Sequence, residues 1–199
     1  AKNKEAIFRE IIHNRYTEKG NLKYTLVYVP EGAKPDDNTS DMFDTAETVA
    51  TDDYSENLID VYTQIVQDVS KTTTVKKFTS VVKGRNEILD KYAKGEIEVL
   101  TSMKCLDEGV DVPRSEMAIF CASTGNPRQF IQRRGRILRK HPDKHLAIIH
   151  DLVVAPEINS SMENYNMERS LLRGELNRVR DFAVLSENAD FAGIPFCRL

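Results

Sequence analysis

The chain has 199 residues, 40% hydrophobic and 30% charged, with a formal net charge of −3. That is room for one well-buried α/β domain plus an extension, with ordinary globular composition. Nothing in it is long and apolar enough to cross a bilayer or resembles a secretion signal, and three scattered cysteines without a Cys-x-x-Cys pair argue against a disulfide framework or a zinc knuckle, so a cytoplasmic chain without a metal site is expected.

In chain order, Ala6, Ile7, Phe8, Ile11 and Ile12 predict an amphipathic helix over Lys4 to Tyr16, followed by a strand over Tyr24 to Val29. Residues 31–56 are polar and carry only anionic charge from Asp36 to Glu56, which predicts a mobile surface insertion. A calcium loop is the alternative, but the alternating Asp/Asn spacing with a central glycine is absent. Leu58, Ile59, Tyr62, Ile65, Val66 and Val69 recur at helical spacing, Thr73 to Thr79 reads as a strand, Arg85 to Lys94 as a helix ending at Gly95, and Glu98 to Thr101 as a strand. A glycine-and-aspartate loop, Leu106 to Pro113, leads to an apolar strand, Met117 to Ala122. Then come a helix over Pro127 to Arg139, whose proline suits a first turn, and a strand over His145 to Val153.

Such alternation implies an α/β fold, a parallel sheet with helices on both faces. Beyond Pro156 the strand signal stops and Glu163 to Ser186 reads as one amphipathic helix, so the expected organisation is a domain over 1–154 and a helical extension over 155–199. The interleaved arginines and carboxylates of that last helix suit a solvated face better than a binding one. His141 and His145 have metal-ligand spacing, but Pro142 breaks any helix between them, so they read as loop histidines.

The octet Gln132-Arg133-Arg134-Gly135-Arg136-Ile137-Leu138-Arg139 lies within a run, Arg128 to Lys140, that carries only cationic charge. On a helix advancing roughly 100° per residue, Gln132, Arg136 and Arg139 fall within about 60° of one another. Two permanently charged planar forks beside an amide suit phosphate, and a solvated basic helix is the plainer alternative. Arg134 lies near the apolar side set by Phe130, Ile131, Ile137 and Leu138, so it is expected to snorkel or to pair with a carboxylate. Polar loops at the carboxyl ends of parallel strands are where ligands bind in such sheets, which places a nucleotide-side cleft near the octet.

At these residues the chain resembles the C-terminal RecA-like lobe of superfamily II helicases and translocases. Gly109-Val110-Asp111-Val112-Pro113 is similar to their motif V, Gln132 through Arg139 to motif VI, and Leu22 through Val29 to the strand of motif IV. Phe78-Thr79-Ser80 and Arg85 through Leu100 match the connection between them, and the likeness covers about residues 20 to 153. It implies that Arg136 and Arg139 are arginine fingers reaching across an interdomain cleft to ATP phosphates, with Gln132 coupling nucleotide state to the partner lobe. It also implies that Gly109 and Asp111 lie at the ribose side, and that Arg85, Thr101 and Ser102 touch the nucleic-acid backbone. Val82 where RNA-dependent members carry a polar residue, and Leu138 in place of the usual motif VI glycine, make the wording more like the DNA-translocating branches used in restriction or repair.

No Gly-x-x-x-x-Gly-Lys-Ser/Thr loop and no Asp-Glu-Ala-His-like box occurs in the sequence. The expectation is therefore a lobe cut from a larger ATP-hydrolysing motor and inactive alone, with ATP and Mg2+ held mainly by an N-terminal RecA-like lobe. DNA is the expected track, RNA being left open, and no membrane partner is expected. The alternative is a noncatalytic nucleic-acid or protein interaction module that kept the fold. The motor reading requires two guanidiniums projecting from one helix into a gap. If those side chains are turned inward, or sealed against the protein's own surface, the motor reading collapses.

Overall fold

In the computed structural model the described residues are 2–30, 52–103, 110–121, 127–153, 165–184 and 186–189. The chain divides into two compact units, Ala1–Leu152 and Val153–Leu199. The first contains α1 (Lys2–Lys19), β1 (Thr25–Tyr28), α2 (Asp52–Val69), β2 (Val75–Phe78), α3 (Arg85–Ala93), β3 (Val99–Ser102), β4 (Met117–Phe120), α4 (Pro127–Ile137) and β5 (Ile148–Asp151). The second contains α5 (Tyr165–Ala183), where Leu172, Leu176, Val179 and Ala183 are less exposed than Arg169, Arg173 and Arg180.

The five strands form one sheet in the order β2-β3-β1-β4-β5, every neighbouring pair parallel. Side chains alternate across a strand, so the register sorts them onto two faces. Val27, Val99, Met117 and Ile119 pack on one face with Phe8 and Ile12 of α1 and Ile59, Tyr62, Ile65 and Val66 of α2, all buried in one core cluster. Leu26, Tyr28, Leu100, Ala118 and Phe120 occupy the other, also fully buried. Each large apolar side chain removed from water stabilises by about 1.5–3 kcal/mol, which is why continuous apolar runs such as Met117–Phe120 become interior strands. Cys121 closes β4 within the first core, and burial pushes its thiol up, away from nucleophilic use.

Boundaries differ from expectation where tertiary contacts act. The expected insertion does not run to residue 56, because α2 begins at Asp52. The rest of the expected insertion lies outside the described residues. A larger difference is that α4 ends at Ile137, so Arg139 is not helical. Among the described residues no helix is long and apolar enough to cross a membrane.

Gly95 ends α3 in a left-handed turn at φ +74°, with its N–H donating to Tyr92 O at 2.9 Å and that of Glu96 to Lys91 O at 2.9 Å. These two bonds are the Schellman pattern, which a residue without Cβ adopts most readily. A Cβ there would stand 3.0 Å from the Tyr24 hydroxyl. We expect Gly95→Ala to destabilise by about 1–2 kcal/mol, read from the urea midpoint. A neutral result would show that the turn relaxes freely.

Candidate functional site

The cationic helix α4 and the segment from Val110 to Pro113 meet in the first unit. Arg136 donates from Nη1 to the Val110 carbonyl, and Arg139 Nη1 lies 2.6 Å from Asp111 Oδ2. Gln132 is exposed on the helix, two residues before its last turn begins, and Gly109 lies outside the described residues. Val110 and Val112 are buried, which leaves the Asp111 side chain between them pointing outward by strand-like alternation.

This corrects the picture of two guanidiniums standing free on one helical face. Since α4 ends at Ile137, Arg139 reaches Asp111 from the chain after the helix, and Arg136 is engaged by a backbone carbonyl. The cause is electrostatic: a guanidinium takes a carboxylate or carbonyl within its reach. The Arg139–Asp111 contact is not a seal. Its side chains are 49% and 56% exposed, and a pair this wet is worth about 0–1 kcal/mol, less than the roughly 1.5–3 kcal/mol of a hydrogen bond between fully desolvated charged groups.

The inner face of α4 also differs from expectation. Ile131 and Leu138, assigned to the apolar side, are 58% and 51% exposed, while Arg133 is 5% exposed and Ile137 fully buried. Arg134, expected near the apolar side, is only partly buried. Arg133 and Ile137 are four residues apart and share a face, so one arginine goes inward with the isoleucine. The Arg133 guanidinium sits 5.3 Å from the Tyr28 ring centroid, and Tyr28 stacks on Phe120 at 4.8 Å with an interplanar angle of 13°. The column Arg133–Tyr28–Phe120 fastens α4 over the carboxyl ends of β1 and β4. Its sequence signal was the four-residue spacing to Ile137, outweighed by a stripe drawn through every apolar residue.

Two of the expected nucleic-acid residues are not where a phosphate could reach them. Thr101 is fully buried and its hydroxyl is 2.8 Å from that of Thr63 in α2. Ser102 is also fully buried, its Oγ donating to Met103 O at 3.1 Å. Both belong to β3, flanked by β1 and β2 in the sheet, so neither side chain has a solvent face. Arg85 opens α3 half-buried, its guanidinium 4.8 Å from the Phe78 ring centroid, beside Gly84 in a left-handed turn at φ +70°. It stays at the carboxyl end of β2, while Arg136, Arg139, Asp111 and Gln132 form the group around α4. Among the described residues no cluster of His, Cys, Asp or Glu could hold a metal ion.

Residues 45–141 match the family described as the helicase conserved C-terminal domain. The DNA 3'-5' translocase XPB2 of Sulfurisphaera tokodaii is 42% identical over 88 residues, covering 43% of this chain and 20% of that protein. The ATP-dependent DNA helicase MPH1 of Vanderwaltozyma polyspora is 35% identical over 117 residues, covering 58% of this chain and 11% of that protein. Among solved structures, domain 2 of the DEAD-box helicase Mss116p bound to an RNA duplex superposes with a TM-score of 0.55 at 13% identity, covering 98% of this chain and 75% of that one. That last likeness concerns the fold alone. The chain spans a fifth or less of the two sequence relatives named.

Proposed function

From a chain that carries a C-terminal RecA-like domain of the superfamily II DNA helicase and translocase type, we propose that its role is that of the second motor lobe of an ATP-dependent enzyme moving on DNA. The observation that carries this is the convergence of Arg136 and Arg139 on the Val110–Asp111 segment, beside the exposed amide of Gln132. A triphosphate held mainly by an N-terminal lobe would supply the bond that is cleaved and the charge that closes the cleft. Arg139 would leave its exposed ion pair with Asp111, and Arg136 its bond to the Val110 carbonyl, for the phosphate oxygens, since charge-assisted bidentate bonds to phosphate are stronger than a bond to a neutral carbonyl or an exposed ion pair. Asp111 and Gly109 would then face the ribose, and Gln132 the other lobe. Any Mg2+ would belong to the N-terminal lobe.

On the nucleic-acid side, Arg85 remains a candidate for the backbone track, whereas Thr101 and Ser102 would act only by shaping the strand end. A lobe that grips phosphates without reading base edges binds weakly by itself and loses affinity as salt rises. We expect the isolated chain to show only weak, salt-sensitive DNA binding in an anisotropy titration; tight binding persisting at high salt would contradict half a track. The decisive experiment is alanine replacement of Arg136 or Arg139 in the full-length protein. DNA-stimulated ATP turnover that survives both changes rules out the finger assignment.

The self-pairing of both arginines favours a second reading, a noncatalytic interaction module in which they serve structure. A phosphate-binding loop elsewhere in the full-length protein separates the two, because the motor needs one and the module does not.

A further inference from the structure

Lys144 lies between α4 and β5 and joins two parts of the candidate site that are far apart in sequence. Its Nζ donates to Pro113 O at 2.7 Å and to Ile137 O at 2.8 Å. Ile137 is the last residue of α4, where carbonyls lack intrahelical partners and the dipole favours a cation. Pro113 ends the segment that begins with Val110 and Asp111, the two residues that receive Arg136 and Arg139. Lys144 is itself placed by a tight turn in which its N–H donates to His141 O at 3.0 Å. Three independent ties thus bring the segment and the helix end together, and Lys144 makes the one that involves neither phosphate-facing arginine.

We propose that Lys144 is a positioning residue: it clamps the Val110–Pro113 segment against the carboxyl end of α4, and so sets where the Arg136 and Arg139 guanidiniums stand relative to Asp111. An ammonium suits this because it offers several donors from one point, whereas a methionine of similar length would leave both carbonyls without a partner. Burial holds this ammonium below the usual lysine range, the nearby carboxylates of Glu116 and Asp111 countering it and Arg114 adding to it. The balance keeps a charged donor half-buried between two carbonyls. As far as turnover is concerned, the proposal rests on the nucleotide-cleft reading above.

The test has two arms. In the chain itself, Lys144→Met should collapse the Nε–Hε signals of Arg136 and Arg139 in a 15N NMR spectrum toward those of exposed arginines, whereas Lys144→Arg keeps them dispersed. Unchanged signals in Lys144→Met overturn the proposal, and so does an equal collapse in Lys144→Arg. If the methionine variant does not fold, Lys144→Gln takes its place, since one amide can serve only part of the clamp; wild-type arginine signals in it overturn the proposal as well. In the full-length protein, Lys144→Met should lower kcat for ATP by about ten- to a hundredfold while KM for ATP stays within about twofold, as for a displaced rather than deleted catalytic group. A wild-type kcat there overturns the proposal provided that Arg136→Ala abolishes turnover in parallel. If Arg136→Ala is also silent, the nucleotide reading has failed, and Lys144 is judged on the arginine signals.

Discussion

Replacing Arg136 with alanine is expected to lower DNA-stimulated ATP turnover of the full-length protein by about a thousandfold, the low end of what a finger of this kind contributes. A thousandfold corresponds to about 4 kcal/mol of barrier. The Arg136 side chain donates to the Val110 carbonyl, and a bond of that kind contributes about 0.5–3 kcal/mol to folding. Catalytic loss should therefore exceed any loss of stability, and the two can be told apart by measuring turnover and the urea midpoint on the same variant. Arg136→Lys should recover little, because a lysine lacks the planar fork. Equal turnover in Arg136→Ala and the wild type would move Arg136 from catalysis to structure.

Phe120→Ala is expected to be the most damaging change to stability near the site, at about 3–5 kcal/mol against a typical total of about 5–15 kcal/mol. Phe120 is fully buried in β4, between β1 and β5, so no water can fill the apolar space that the ring leaves. The loss also removes the base of the column on which Tyr28 stacks and over which Arg133 sits. α4 should loosen along with the core. Phe120→Leu should cost less, because most of the volume is kept. A urea midpoint for the alanine variant within about 1 kcal/mol of wild type would mean that the surrounding side chains collapse into the space and that the column is not what holds α4.

How much of this was legible beforehand depends on the range of the interaction. Helices and strands came from periodicities of three to four and of two, which are set by neighbours in sequence, and α3 with its Gly95 stop and the Met117–Phe120 strand follow that logic. The motif-bearing residues were legible because charge type and spacing survive in one dimension. The burial of Thr101 and Ser102 is the opposite case. A strand end in sequence does not say whether its strand is at an edge or inside, and β3 is inside, under α2 on one face. The inward turn of Arg133 likewise depends on distant residues, an aromatic ring on β1 and, through it, one on β4.

The sequence by itself settles the alternation of elements and the clustering of cationic side chains in one octet, since both are properties of adjacent residues. Only the tertiary structure decides that α4 stops at Ile137, that Arg133 turns inward, that Arg139 meets Asp111 from beyond the helix, and that Lys144 ties the two segments together. Each of those depends on a hydrogen bond, ring contact or ion pair whose partners become neighbours once the sheet has brought β1, β3 and β4 side by side. Short-range steric preference chooses the elements; long-range contact chooses which charges remain available at the cleft.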